Sequence, residues 1–192
     1  MKNSIYKIAA IAVLAIPVFS SCNKGDDNAT PVEQELITTI KLTLTNATNT
    51  TDVHTYTYKV ENGFNNAAPG TVIADTLQLT SNTAYTTSVQ VLNEKASPVE
   101  NTTDEILTEQ TKHLFLYNSV PVTGAGSVAF SNGIKDTNGA PFNLTGTLTS
   151  GAAGSGKLNL YLMHEPVNKN GTTPDDAGGE TDVASTYPVL IR

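Results

Sequence analysis

The chain has 192 residues, with 11 Lys and Arg against 18 Asp and Glu, a formal net charge of −7, and one cysteine. So acidic a surface repels nucleic acid and anionic headgroups over long range, and nucleic acid is not expected as a partner. One cysteine excludes an internal disulfide, and no GxSxG, HExxH, CxxC or phosphate-cradling glycine loop is present, so the chain is expected not to be an enzyme.

The first element is an export signal. Lys2 and Lys7 make a positive start, residues 8–19 are apolar throughout, and Ser20 and Ser21 supply small residues before Cys22. Twelve apolar residues rise only ~18 Å as a helix, against a hydrocarbon core of ~30 Å. Pro17 near the end weakens a transmembrane reading further. The pattern resembles the signal of bacterial lipoproteins, with Phe19 where Leu is usual. That resemblance implies that residues 1–21 are removed and Cys22 is acylated, by palmitate or a similar chain, tying the protein to a lipid bilayer. Each buried methylene contributes ~0.8 kcal/mol, and two or more chains anchor stably where one does not. Loss of Lys2 and Lys7 leaves 9 basic against 18 acidic residues, a net charge of −9.

Residues 22–31 carry no apolar periodicity and read as a flexible acidic tether. Lys24, Asp26 and Asp27 in it resemble the lipoprotein export signal of Bacteroidetes, which implies an outer-membrane anchor with the domain facing the cell surface. Attachment facing the periplasm is the alternative. Residues 32–192 then read as a single domain.

Along that domain apolar residues alternate with Thr, Ser or Asn, the period of half-buried strands. Strands are predicted at 36–44, 53–60, 72–79, 85–92, 114–117, 128–130, 142–149, 157–163 and 183–191. The first two, joined by the turn-rich segment 46–52, read as a hairpin, and the glycine-rich segment 151–156 as a flexible hairpin loop. Residues 101–110 break the alternation and predict a short helix with a Thr102/Glu105 capping box. The segment from Leu79 to Tyr85 resembles the fibronectin type III corner, where a tyrosine hydroxyl bonds back to the preceding loop. The expected fold is all-β: an antiparallel, immunoglobulin- or fibronectin III-like sandwich of about nine strands with one short helix.

Candidate ligands are few. His54 alternates with tyrosines and reads as a packed or surface residue, and His113 closes the helix, where a cation suits the dipole. His164 and Glu165 precede Pro166 at a strand end, the one place where strand neighbours can face a common ligand. His113, His164 and Glu165 are therefore the candidate divalent-metal ligands. Asp175, Asp176, Glu180 and Asp182 lie on a glycine-bent segment able to offer oxygens to Ca²⁺. Asp75-Thr76-Leu77 also resembles the O-glycosylation sequon of Bacteroidetes.

Residues 33–40, 79–92, 161–166 and 178–182 together resemble a small family of Bacteroidetes outer-membrane lipoproteins labelled type 1 periplasmic binding fold. The resemblance implies association with a TonB-dependent receptor. Its label implies βαβ repeats, whereas the alternation implies strands alone. The expected function is a membrane-anchored, non-enzymatic binding module that captures a metal ion or small ligand for such a transporter. A structural or adhesive surface protein without a small-molecule site is the alternative.

Overall fold

Alternating Thr and aliphatic residues become strands because the aliphatic half finds a facing sheet. The structure, a computed structural model, describes residues 36–192. The signal, Cys22 and the tether lie outside the described residues. β1 (Thr39–Asn46) buries Ile40, Leu42 and Leu44 on one face. It pairs antiparallel with β2 (Val53–Val60) and with β5 (Ala84–Leu92). The predicted hairpin forms, its turn closed where the Asn46 N–H donates to the Asp52 carbonyl at 3.0 Å.

With β3 (Val72–Ala74), β7 (Val128–Ser131) and β8 (Thr145–Ser150), these make a six-stranded sheet in the order β3-β2-β1-β5-β8-β7. The second sheet is β4-β10-β9-β6, built from β4 (Leu77–Leu79), β6 (His113–Val120), β9 (Gly154–His164) and β10 (Glu180–Ile191). Every pairing is antiparallel except that of β4 with β10. The chain is an all-β sandwich, as the alternation implied.

One core lies between the sheets. Ile40, Leu42 and Leu44 meet Phe115, Leu158, Leu160, Leu162 and Tyr187, all close to fully buried. Each such side chain contributes about 1.5–3 kcal/mol through lost water contact. Tyr187 also donates its hydroxyl to the Ile40 carbonyl at 3.2 Å, a hydrogen bond running from one sheet to the other.

Three predicted segments resolve differently. Residues 72–79 form two strands in two sheets, which raises the count to ten. Asp75 is the last residue held by the first sheet, its N–H donating to the Thr57 carbonyl and its carboxylate accepting from the Thr57 N–H. The chain then crosses, and Leu77 and Leu79 bury against the other side. Residues 151–156 are likewise no hairpin loop, because β8 and β9 lie in different sheets. Of residues 142–149, only those from Thr145 onward pair as strand. Phe142 and Asn143 instead bond to the backbone of Phe115 and cover the free edge of β6.

α1 (Thr103–Thr108) is shorter than predicted, and a 3-10 turn at Gln110–Lys112 follows it. The predicted capping box does not form. Thr102 sits in helical dihedrals with no side-chain cap, and Thr103 Oγ1 instead accepts the Val91 N–H at 2.7 Å. The helix is thus fastened to β5 by a side chain from inside its own first turn. A second helix, α2 (Pro174–Ala177), was not predicted; Thr173 caps it by accepting from the Asp176 N–H. The corner tyrosine is present: Tyr85 is buried and its hydroxyl accepts the Thr80 N–H at 2.8 Å.

Candidate metal centre

β6, β9 and β10 run side by side, and at one end each contributes a polar side chain where the core residues stop. His113 opens β6 and His164 closes β9, and the two are paired in register across the strands. Their inner-face neighbours, Phe115 and Leu162, are core residues, so the histidines extend the same face beyond the apolar layer. The rings stack with centroids 4.9 Å apart and planes 12° from parallel.

The third member comes from an irregularity. β10 is in register with β9 up to Thr181 and again from Val183, with Asp182 as the extra residue of a bulge. Bulges re-aim side chains in this way. Asp182 Oδ2 lies 3.9 Å from His164 Nδ1. One ligand atom from each of His113, His164 and Asp182 lies within 4.8 Å of the others. Among the described residues this is the one group of three or more such side chains so gathered.

The site is shielded. His113 is 3% exposed, and the side chains of His164 and Asp182 are 15% and 9% exposed. Burial holds the His113 imidazole below its ordinary range, with the His164 ring lowering it further and a hydrogen bond to the Glu109 carbonyl opposing. Burial thus disfavours the cationic form that its position after α1 implied. That bond, from Nδ1 to the Glu109 oxygen at 3.1 Å, leaves Nε2 as the free donor atom. Two imidazoles and a carboxylate are a donor set for borderline divalent ions.

A strap fixes the surroundings. Lys169, in the loop after β9, donates to the carbonyl of Gln110 at 2.8 Å and to Asp136 Oδ2 at 2.6 Å. It ties that loop to the 3-10 turn after α1 and to the β7–β8 connection. Gly178 and Gly179 bring the chain back into β10. Gly179 has φ +78°, and a Cβ there would stand 2.4 Å from the His164 carbonyl oxygen, so glycine alone permits the close return.

Of the predicted ligands, His113 and His164 meet and Glu165 does not join them. Glu165 occupies a left-handed conformation, φ 47°, its N–H donates to the Lys112 carbonyl at 2.7 Å, and its side chain is exposed. The strand end that was to turn it toward His164 turns it into solvent. The predicted Ca²⁺ set is divided as well. Asp175 and Glu180 are exposed, and Asp176 accepts the Thr172 N–H as part of the α2 cap. Asp182 alone turns inward, to the histidines. Its role was missed because a bulge leaves no mark on a single strand. A carboxylate amid the otherwise Thr- and aliphatic-rich run of 181–191 was the available signal.

Elsewhere, His54 is exposed and bonded to Asp52 at 2.8 Å. The pair lines a cleft of ≈ 270 Å³ with Tyr85 and Arg192, near the opposite end of β10. Thr76 is exposed at the crossover between the sheets. No helix among the described residues is long and apolar enough to cross a membrane. Compared with known protein families, with curated proteins and with solved structures, the chain matches none.

Proposed function

We propose that this protein is a lipid-anchored, non-enzymatic module that captures a divalent metal ion outside the cytoplasm. The convergence of His113, His164 and Asp182 within 4.8 Å supports it. These side chains come from three strands, 51 and 18 residues apart along the chain, and a purely structural or adhesive sandwich gives no reason for them to gather. The site is too shielded for a large substrate, which favours holding an ion over processing a molecule. The anchor rests on the signal pattern and Cys22. Resemblance to outer-membrane lipoproteins adds a TonB-dependent receptor as the recipient of the ion, and Lys24, Asp26 and Asp27 favour the cell surface as the location.

Two measurements test the reading. Titration calorimetry of the purified chain should give one divalent ion per molecule at micromolar concentration; silence toward every divalent ion would sink metal capture. Membrane fractionation should find the wild type in the outer membrane and Cys22→Ser in the soluble fraction. Equal membrane partition of the two would remove the lipid anchor.

A further inference from the structure

Resting on that metal-capture reading, we infer that the site selects Zn²⁺ and Cu²⁺ over Ca²⁺ and Mg²⁺, that His113 coordinates through Nε2, and that the ion is exchangeable cargo on a fold complete without it. Selection follows from the donors. Ca²⁺ takes ~6–8 oxygen ligands and Mg²⁺ a near-ideal octahedron of oxygens. The cluster offers a single carboxylate beside two imidazoles. Zn²⁺ and Cu²⁺ accept that mixture, and Cu²⁺ stands highest in the order of divalent affinities. Cu⁺ prefers sulfur, which none of these three side chains carries.

The hydrogen bond behind His113 settles which nitrogen coordinates. A carbonyl oxygen only accepts, so the Nδ1 atom 3.1 Å from Glu109 must carry the proton. In the neutral ring that leaves the lone pair on Nε2. Metal-binding histidines are oriented by such a partner behind them, and here it is present before any ion arrives. Closing the site needs modest movement, since donors around a tetrahedral ion lie ~3.3 Å apart, as bonds of about 2.0–2.1 Å require.

Exchangeability follows from the count and from the core. Structural zinc sites close with four protein donors, whereas three leave a position open for water or an acceptor's ligand. Phe115, Leu162 and Val183, each within two residues of a donor, are buried in the main core and hold all three strands in place.

The test uses the full chain in mild detergent, titrated with Zn²⁺, Cu²⁺, Ca²⁺ and Mg²⁺. Nitrogen-15 NMR of the imidazoles and far-ultraviolet circular dichroism are recorded with and without chelator. Expected are one Zn²⁺ or Cu²⁺ per chain, no Ca²⁺ or Mg²⁺ at the same concentration, an Nδ1-protonated His113 and an unchanged fold after chelation. His113→Ala, His164→Ala and the near-isosteric Asp182→Asn should each weaken Zn²⁺ on the order of 100-fold, at least the loss caused by removing an outer-shell partner. His54→Ala should leave binding unchanged. Ca²⁺ binding tighter than Zn²⁺, an Nε2-protonated His113, or collapse on chelation would overturn the inference and leave metal capture standing. No binding of any of the four ions would remove the proposed function itself.

Discussion

Single residues hold the loops of this sandwich to its sheets. Asp136 is the plainest case, since its side chain is 1% exposed and paired with Lys169 at 2.6 Å. Desolvation pushes its carboxyl upward, but the Lys169 hydrogen bond, the Ala140 and Asn138 N–H groups and the lysine charge outweigh it and hold it below the ordinary range. Asp136→Ala leaves the lysine without its carboxylate and should cost about 3 kcal/mol, read by urea unfolding at pH 7. A depressed carboxyl contributes its stability above the unfolded value, near pH ~4, and loses it as pH falls through the folded value. The gap between wild type and variant should therefore narrow in acid below that point; a gap independent of pH would contradict the pairing. At the corner, Tyr85→Phe removes one hydrogen bond to Thr80 and should cost about 1 kcal/mol by the same measurement. The corner was legible in sequence because Leu79 and Tyr85 lie on one short segment. The Asp136–Lys169 pair was not, as 33 residues separate its members.

Elements are shaped by what they must lie against. Phe130 of β7 stacks on Tyr117 of β6, with centroids 3.9 Å apart and planes 4° from parallel, and this joins the two sheets at one side. The stack needs a bare backbone beneath it, since a Cβ on Gly146 would stand 2.4 Å from Phe130 Cζ. Gly146→Ala should displace the ring and cost about 1–3 kcal/mol, with loss of near-ultraviolet dichroism while the far-ultraviolet signal persists. The faces of β1 and β5 could be read directly, because period-2 burial is a property of each strand alone. The break at Asp75 and Thr76 could not be, because the sheet each strand joins is set by its pairing partner, β2 for β3 and β10 for β4, and not by the segment itself.

For the whole molecule, an ion captured at the proposed site would be a ligand of the native state alone, since unfolding scatters His113, His164 and Asp182. At 100 times the dissociation constant it should stabilise the fold by about 2.7 kcal/mol, seen as a rise in melting temperature that His113→Ala abolishes. An equal rise in the variant would place the ion elsewhere. His113 and His164 were candidates by residue type alone, whereas the all-β class, the positions of most strands and the tyrosine corner were legible along the chain. Each of the last three depends on periodicity or spacing within a short stretch of chain. That Asp182 completes the group and Glu165 leaves it depends on strand pairing and loop packing. A bulge exists only between paired strands, and a strand-end side chain takes its direction from the loop packed over it.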